Sequence, residues 1–508
     1  MKKKGLDILF GLLFFAMLAV PGIMLDRSDI IESEQENRRM TMWPGVGFDA
    51  KINAWYGHYV EDRVGFRPHA ITAYTEMVYG VFHEFSEDMH MYGRDGEVFP
   101  ADQGYIRSYQ RLNTDTGLMD QLATYLANTS SYVQYKKKAF VFTVGLDKKT
   151  IYGDYFPDYI HVNEKNTGNL EYLLNCLDRG NVPYVVPVQE FREAAETERI
   201  YNSCFDSAHW NPRGEVLGLR LIDQRIQEIY PDIPVLSEDS FDIGTERKEY
   251  LEFVKVRIDE DIPSYKLKMG IAENGTLEEP VIAQNIMDCT QRVNGTSMQY
   301  YINENAMSDR CILIFHDSFL ESAKDYYWPR YREVIMLSRQ NYENMQYYVN
   351  VFDPDVVLYE NAERSFVDDL YAYTALGAVT YESPYESLSL KANLQETASG
   401  YSLTEVNGAA LTDQILIPDK STAFCGVKGQ MNPLDGVQFE NMNIYVNYMG
   451  EYWEAQYTPF ISPQDKETGM FCFNFLTSKM ESGTMELIGV DQSTGTPYLL
   501  GKIEVRNE

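Results

Sequence analysis

Basic residues and cysteine are both scarce in this 508-residue chain. Lys and Arg together number 44 against 76 Asp and Glu, which gives a formal net charge of −32. Proteins that bind nucleic acid need a basic face to replace the counterions of the phosphates, so we expect no nucleic-acid partner. Only six cysteines occur, none with the C-x-x-C spacing of a metal site, and we expect no metal. Cys425 and Cys472 either pair within one C-terminal domain or remain buried free thiols.

The sequence also lacks internal repeats and low-complexity tracts, whereas apolar residues are plentiful. Hydrophobic side chains make up 44% of the chain and aromatic side chains 13%, which excludes a disordered protein. The length predicts two or three domains. The 38 tyrosines suit carbohydrate binding, because the ring packs on a sugar face while the hydroxyl bonds, and they suit plain β-sheet equally well.

The N-terminus carries Lys2–Lys4 before an apolar run from Ile8 to Leu25. At about 1.5 Å per residue, a helix over this run spans roughly 27 Å, close to the thickness of a bilayer core. The lysines predict that the chain from Asp26 onward is extracellular. A cleaved signal peptide is the alternative, but the apolar run continues past the small-residue site at Ala16–Ala19, which favours an uncleaved anchor. Residues 1–25 are therefore predicted to be a membrane anchor or signal.

Three further regions follow this N-terminal segment. Residues 26–90 are predicted to form a polar stalk and helices. Residues 91–380 alternate apolar strands with helices, which predicts an α/β domain with a mainly parallel sheet, interrupted by antiparallel strands within 245–308. Residues 385–508 alternate with period two and carry frequent turns, which predicts an all-β sandwich. The predicted strands of the parallel sheet are Ala139–Val144, Val182–Val188, Cys311–Phe315, Val334–Leu337 and Val356–Tyr359.

A candidate nucleophile follows the buried strand Cys311–Phe315. The strand ends in His316-Asp317-Ser318-Phe319, and a helix-permissive segment comes next. A hydroxyl at a strand-to-helix turn lies at the carboxyl edge of the sheet, where α/β proteins place their chemistry. Ser318 is therefore a candidate nucleophile. Alternatively it is a helix N-cap, worth about 1 kcal/mol.

A candidate base lies earlier, where Asp206 and His209 are three residues apart on a turn that enters a helix. The carboxylate can then accept from one imidazole nitrogen and leave the other free as a base, which a serine nucleophile needs. Only seven histidines occur in the chain. Alternatively, Asp206 caps the helix and His209 packs at a domain surface. The two segments together suit acyl transfer.

The two segments resemble the catalytic blocks of the SGNH/GDSL-type hydrolases, in the arrangement of the alginate O-acetyltransferases AlgX and AlgJ and the related DHHW proteins. In that family the Asp/His block also precedes the nucleophile block. The resemblance covers residues 32–366. The chain departs from the family at His316, where the family keeps Gly, and at Val98, where the family has Trp. Its Asp/His block is D-x-x-H, whereas the alginate enzymes have D-x-H. Five more segments resemble family motifs in matching order: Glu36–Arg38, Asp62–Arg67, Gly93–Phe99, Asp147–Tyr152 and Pro354–Arg364.

This resemblance implies a flavodoxin-like three-layer SGNH domain, outside the cytoplasm, that adds acetyl groups to a polysaccharide or removes them. Ser318 would attack the acetyl carbonyl, His209 would take its proton, and Asp206 would stabilise the imidazolium. An acetyl-enzyme follows, and no cofactor is implied. The implied partners are a polysaccharide acceptor and an acetyl donor delivered by a membrane acyltransferase.

The oxyanion of such a reaction needs fixed hydrogen-bond donors, each worth about 3 kcal/mol. The amide of Ser318 is the natural first donor. Gly145 and Asn361, each at or just after the end of a predicted strand, are candidates for the others.

Four more residues are candidates for substrate contacts, each with a structural alternative. Tyr152 and Trp210 either pack on a sugar or fill the sheet edge. Arg364 either contacts substrate or, as we favour, holds a structural ion pair. His316 is either a second polar group of the site or a capping side chain.

The sequence thus predicts a membrane-anchored, extracellular SGNH-like O-acetyltransferase that acts on a cell-surface or secreted polysaccharide. A polysaccharide acetylesterase is one alternative, since hydrolysis differs only in that water attacks the acetyl-enzyme in place of a sugar hydroxyl. A non-catalytic glycan-binding surface protein is another. The C-terminal β region, residues 385–508, is a candidate carbohydrate-binding module.

Overall fold

The computed structural model of the protein describes most of residues 2–366 and parts of the C-terminal region. The described residues are 2–26, 32–33, 38–43, 50–82, 84–85, 88–252, 256–268, 281–282, 298–304, 306–366, 394–396, 401–406, 409–410, 415–421, 424–434, 437–457, 469–491 and 493–507.

The α-helices begin and end at residues that their sequences mark. The helix Thr116–Tyr135 (α5) starts after Asp115, whose side chain accepts from the amide of Leu118. The helix Asn169–Gly180 (α7) is followed by Asn181 in a left-handed conformation. Within the described ranges, no helix is both long enough and apolar enough to cross a membrane. The helices are α1 (Lys2–Ile23), α2 (Ala50–Arg63), α3 (Arg67–Met77), α4 (Gln103–Tyr109), α5 (Thr116–Tyr135), α6 (Lys148–Tyr152), α7 (Asn169–Gly180), α8 (Val188–Ala195), α9 (Pro212–Gln227), α10 (Lys324–Tyr327) and α11 (Met345–Phe352).

The strands fall into a central sheet, a C-terminal sheet and three two-stranded pairs. They are β1 (Glu32–Ser33), β2 (Arg38–Arg39), β3 (His90–Tyr92), β4 (Val98–Pro100), β5 (Ala139–Gly145), β6 (Tyr184–Val185), β7 (Phe241–Tyr250), β8 (Arg257–Leu267), β9 (Val281–Ile282), β10 (Gln299–Ile302), β11 (Ser308–His316), β12 (Tyr331–Ser338), β13 (Val356–Ala362), β14 (Gln395–Glu396), β15 (Tyr401–Val406), β16 (Ala409–Ala410), β17 (Ile415–Leu416), β18 (Phe424–Met431), β19 (Met442–Tyr448), β20 (Glu451–Tyr457), β21 (Met470–Leu476), β22 (Gly483–Asp491) and β23 (Thr496–Val505).

The central sheet has seven strands in the order β6-β5-β13-β11-β12-β10-β9. The first five strands are parallel to one another. At one edge, β10 is antiparallel to β12, and β9 is antiparallel to β10. All seven residues of β5 and all seven of β13 are buried, as expected of central strands covered on both faces. The mixed α/β fold with a mainly parallel sheet is the one that the sequence predicts.

The predicted strand Val182–Val188 is wrong in extent. Only Tyr184 and Val185 form strand β6, and Val188 already begins helix α8. Pro183 and Pro187 flank the pair, and proline has no amide hydrogen to donate to a sheet. The strand is therefore confined to a short edge position beside β5.

Helices α5 and α9 both contact β5, so the core forms around this strand. On α5, Leu118, Leu122 and Leu126 recur every four residues, and all three are buried. The same core cluster includes the apolar side chains of β11, β12 and β13. Burial of each such leucine contributes about 1.5–3 kcal/mol.

An antiparallel hairpin of β7 and β8 stands apart from the central sheet, with Phe241 opposite Leu267 and Glu246 opposite Ile262. It belongs to the stretch predicted to hold antiparallel strands. The hairpin contacts α9, the helix that follows the candidate base. Its position next to the loop before α9 matters for the site below.

The C-terminal strands form a mostly antiparallel sheet with its own apolar cluster. Strand β20 pairs with β19 through residues 451–455 and with β21 through Gln456 and Tyr457, so it links two groups of strands. A face-to-face sandwich of two sheets remains a prediction. The predicted boundary near residues 380–385 lies outside the described residues.

The pairing of Cys425 with Cys472 is excluded, and Cys425 is a buried free thiol. The register of β18 and β21 places Cys425 opposite Phe475, whereas Cys472 lies opposite Lys428. The two cysteines are thus about three residues, or roughly 10 Å, out of register along the strands. A disulfide needs Cα atoms within about 7 Å.

Candidate active site

The serine and the histidine come from separate segments that meet near the end of β11. Ser318 lies just past this strand, and His209 lies in the loop that leads into α9. Helix α9 starts where it does because Oδ1 of Asn211 accepts from the amides of Arg213 (3.0 Å) and Gly214 (3.1 Å). Proline at the first position, Pro212, favours the same start.

Asp206, His209 and Ser318 form one continuous hydrogen-bonded chain. Oδ2 of Asp206 lies 2.8 Å from Nδ1 of His209, and Nε2 of His209 lies 2.9 Å from Oγ of Ser318. Because a carboxylate can only accept, Nδ1 carries the proton and Nε2 is free to accept from the serine hydroxyl. The structure thus brings the three predicted catalytic residues together in the arrangement that general-base activation of a serine requires.

The carboxylate of Asp206 is held in its ionised form. Burial raises its pKa, but the hydrogen bond and the charge of His209 outweigh this effect, aided by the amides of Ala208 and His209, each 2.9 Å from Oδ1. The net result is a pKa below the ordinary range. Asp206 therefore carries a negative charge toward the imidazole at neutral pH.

A second carboxyl group, that of Glu252, is hydrogen-bonded to Asp206. Burial first, and then the negative charge of Asp206, raise the pKa of Glu252 to about 8. Two hydrogen-bonded carboxyls share one proton, and here Glu252 holds it at neutral pH. The pair therefore leaves the negative charge on the carboxyl that faces His209.

Asp317 anchors the turn that presents the nucleophile. Its Oδ2 accepts from Nε of Arg339 at 2.7 Å and from Oγ of Ser365 at 2.8 Å. Burial raises the pKa of Asp317, but the charge of Arg339 and the hydrogen bonds lower it by more. The pKa is therefore below its ordinary value, and Asp317 stays ionised. Its Oδ1 accepts from the amide of Ser318 at 2.9 Å. The amide predicted to be the first oxyanion donor is thus engaged by Asp317 in this structure.

Glu360 supports the same turn from within the core. It is fully buried on β13, and its Oε2 accepts from the amide of Asp317 at 2.5 Å. Burial, and then the charge of Asp317, raise the pKa of Glu360 well above its usual range. The raised pKa favours the neutral form of Glu360, which limits the negative charge buried beside Asp317.

The ring of Phe319, the residue directly after the nucleophile, packs against the loop that carries His209 and against Arg364. Its centroid lies 4.7 Å from the imidazole of His209 and 5.0 Å from the ring of Trp210. The guanidinium of Arg364 lies 5.2 Å from the same centroid. A Cβ on Gly145 would lie 2.3 Å from Cγ of Phe319, so glycine is needed there for this close approach.

Tyr152 and Trp210, the two candidate sugar platforms, are 6% and 8% exposed. The hydroxyl of Tyr152 accepts from the amide of Ile200 at 3.5 Å.

Asn361 is fully buried near the end of β13, next to the end of β5, where Ala362 pairs with Gly145. Both oxyanion candidates therefore lie at one edge of the sheet.

Arg364 and His316 both lie near the nucleophile turn. Nε of Arg364 is 2.9 Å from Oδ1 of the fully buried Asp147, which forms a structural ion pair. Nδ1 of His316 is 3.1 Å from the carbonyl oxygen of Asp317. Burial lowers the pKa of His316. In the described part of the chain, no group of three or more His, Cys, Asp or Glu side chains is arranged to hold a metal.

Sequence reasoning did not single out three glutamates near the site. Glu260 lies between Ile258 and Ile262 on one face of β8, so strand alternation places a carboxylate at a core-facing position, and this signal is present in the sequence. Glu360 lies within the buried run of β13 in the same way. Glu252 follows the end of β7, and no pattern in the neighbouring sequence indicates its contact with Asp206.

No protein-family model and no curated protein matches the chain. Among solved structures it is similar to PatB1 of Bacillus cereus, with 14% identity and a TM-score of 0.42 over 56% of this chain and 99% of PatB1. For the O-acetyltransferase domain of Pseudomonas putida AlgJ the identity is 11% and the TM-score 0.37, over 57% of this chain and 98% of that domain. For Pseudomonas aeruginosa AlgX they are 10% and 0.34, over 79% and 89%. Similarity this low shows no activity for this chain.

Proposed function

We propose that this protein is an acyl-transfer enzyme of the SGNH type that uses Ser318 as nucleophile, His209 as general base and Asp206 as its partner. The observation that carries the proposal is the unbroken hydrogen-bond chain from Asp206 through His209 to Ser318, at 2.8 and 2.9 Å. Such a chain, at the end of a parallel strand, is what serine activation needs.

In the first half of the proposed reaction, Oγ of Ser318 attacks the carbonyl carbon of an acyl donor while its proton passes to Nε2 of His209. The resulting imidazolium keeps its Nδ1–H on Asp206. When the tetrahedral intermediate collapses, Nε2 returns the proton to the leaving group and the acyl-enzyme remains. General-base assistance of this kind contributes about 10²–10⁴ in rate.

In the second half, a hydroxyl group of the acceptor attacks the acyl-enzyme, and His209 takes the proton of that hydroxyl. The intermediate then expels Ser318, which recovers its proton from the imidazolium. If water attacks instead, the net reaction is hydrolysis. We propose that Gly145 and Asn361, at the edge of the sheet, contribute to the oxyanion site.

We propose acetyl as the acyl group and a polysaccharide as the acceptor. The support is the ordered set of motifs over residues 32–366 that resemble the polysaccharide O-acetyltransferases. On the same ground we propose an extracellular site of action and a membrane acyltransferase as the source of acetyl groups. The lysines and apolar run at residues 1–25 support the extracellular location. We further propose that the C-terminal β region folds as a sandwich and binds glycan.

Acetylation of Ser318 is the direct test. The purified full chain is incubated with 4-nitrophenyl acetate, nitrophenolate release is followed, and the acetylated residue is located by mass spectrometry. We expect an initial burst and an acetyl group on Ser318, both lost in Ser318→Ala and His209→Ala. Ser322→Ala is the matched control, since Ser322 lies in the same segment but donates to Glu215. No acetyl on Ser318 in the wild type would refute the enzyme proposal.

Two oligosaccharides, one deacetylated and one acetylated, distinguish transfer from hydrolysis. The acetyltransferase should add acetyl groups to a deacetylated oligosaccharide in the presence of the ester, as measured by mass spectrometry of the sugar. An acetylesterase should instead release acetate from an acetylated oligosaccharide without any acceptor. If Ser318→Ala keeps the biological role of the protein intact in cells, the non-catalytic alternative stands.

A further inference from the structure

One side chain from a distant strand binds three backbone amides of the loop before Asp206. The amides of Ser203, Cys204 and Phe205 all donate to the carboxylate of Glu260, at 2.5, 2.9 and 2.7 Å. Three consecutive amides that converge on one carboxylate fix the direction of the backbone that enters Asp206. Hydrogen bonds to a charged acceptor are stronger than neutral ones, so this is a firm attachment.

The hairpin that carries Glu260 contacts the same loop at two more points. The amide of Glu252 donates to the carbonyl of Phe205 at 2.8 Å, and the ammonium of Lys248 lies 4.7 Å from the centroid of the Phe205 ring. With the carboxyl of Glu252 on Asp206, the hairpin contacts the backbone and the side chain of the Asp/His block. The hairpin is therefore a support for this block.

Lys148 holds the loop from the other side. Its Nζ donates to the carbonyls of Ser203 (2.8 Å) and Val98 (2.9 Å) and pairs with Glu97 at 2.7 Å. Its own amide donates to the carbonyl of Ala208 at 2.9 Å, so Lys148 contacts both ends of the segment that contains Asp206. The loop thus lies between a lysine that binds its carbonyls and a glutamate that binds its amides.

We propose that Glu260 is a positioning residue for catalysis, which sets the Asp206–His209 pair against Ser318 by binding the three amides before Asp206. The inference rests on the proposed function for its effect on rate. Glu260 does not touch the reacting atoms. A displacement of about 1 Å in such a site costs up to about 100-fold in rate.

Glu260→Gln and Glu260→Asp are the informative substitutions. Gln keeps the shape but replaces one acceptor oxygen by a donor that opposes the loop amides, and Asp keeps the charge but withdraws it by one methylene. Asp261→Asn is the matched control, because Asp261 is the next residue on the exposed face of β8. We expect the rate constant for acetylation of Ser318 to fall about 10- to 100-fold in Glu260→Gln and less in Glu260→Asp, with KM little changed.

Two measurements need no turnover and are made in a Ser318→Ala background. Hydrogen exchange should accelerate at the amides of residues 203–205 in Glu260→Gln. The low-field proton resonance of Nδ1 of His209, which reports its hydrogen bond to Asp206, should shift or broaden. Neither change is expected in Asp261→Asn, and both can be recorded in Glu260→Asp if the Gln variant folds poorly.

The outcomes separate the two claims. If the wild type acetylates Ser318 and Glu260→Gln matches Asp261→Asn in acetylation rate, the positioning role is wrong and the proposed function stands. If the wild type never acetylates Ser318, the proposed function is wrong, and the exchange and resonance data still decide whether Glu260 holds the loop. Unchanged exchange at residues 203–205 overturns the inference in either case.

Discussion

Replacing Asp206 with Asn should trap His209 in the wrong tautomer. Oδ1 of Asp206 accepts from two backbone amides, of Ala208 and of His209 itself, each at 2.9 Å. An Asn side chain must keep its oxygen on these two amides, because its NH₂ group would oppose their hydrogens. The NH₂ group then faces Nδ1 of His209, which must become the acceptor, and the proton moves to Nε2. Nε2 can no longer take the proton of Ser318.

The same geometry sets the expected size of the effect. The loss of a correctly protonated base in a serine triad costs about 10³–10⁴ in rate, which corresponds to about 4–5.5 kcal/mol of barrier. The amide hydrogen bonds survive, so the melting temperature of Asp206→Asn should stay within a few degrees of the wild type. Asp206→Ala loses both kinds of contact and should be less stable as well as inactive.

The assay is the initial burst with 4-nitrophenyl acetate, read with a thermal melt of each variant. Proton NMR of the imidazole checks the tautomer directly, because the Nδ1 proton resonance of the wild type should be absent in Asp206→Asn. An Asp206→Asn variant with a burst rate within tenfold of the wild type refutes this reasoning, since it shows that the carboxylate does not select the tautomer.

Three further substitutions probe the surroundings of the site. Gly145→Ala should cost about 1–3 kcal/mol in urea unfolding and lower the acetylation rate, because its Cβ would lie 2.3 Å from Cγ of Phe319; an unchanged midpoint contradicts this. Glu252 has a folded-state pKa of about 8, above its ordinary 4.5, so its contribution to stability is present below about pH 4.5 and is lost as pH rises through 8. Glu252→Gln should therefore be more stable relative to the wild type at pH 9 than at pH 5, by about 1 kcal/mol after allowance for solvent screening, and equal differences at both pH values argue against the shift. Asp317→Ala leaves the buried Arg339 without its carboxylate and should destabilise the protein by about 3–5 kcal/mol in the same unfolding assay, whereas a loss below 1 kcal/mol shows that the pair is not needed.

The sheet and the three catalytic candidates are predictable from the sequence because each is marked locally. Strand β5 is apolar apart from Thr143, and the spacing of Asp206 and His209 on a helix-entry turn suits a carboxylate–imidazole contact. The predicted length of strand β6 is too great, because the prediction follows the apolar residues and ignores the two prolines that flank the strand.

The supports of the site are harder to predict, because they depend on contacts between distant segments. Glu260 binds amides more than 50 residues earlier in the chain, and the ion pair of Asp317 with Arg339 joins two different strand ends. A local pattern shows that Glu260 faces the core but not what it binds there. The engagement of the Ser318 amide by Asp317 is likewise a matter of side-chain geometry that no spacing reveals.

The order of strands in the central sheet has a consequence for synthesis. Strands β5 and β13 pair along seven residues but are far apart in the sequence. Just beyond their ends, the amide of Asp147 donates to the carboxylate of Glu363, which lies 216 positions later in the chain. While a ribosome makes the intervening segment, β5 has a free edge on the side that β13 will occupy. Unpaired apolar strand edges are templates for aggregation, and pairing across so long a loop is slow. We therefore expect β5 to be open to aggregation until β13, the last strand of its parallel sheet, has been made.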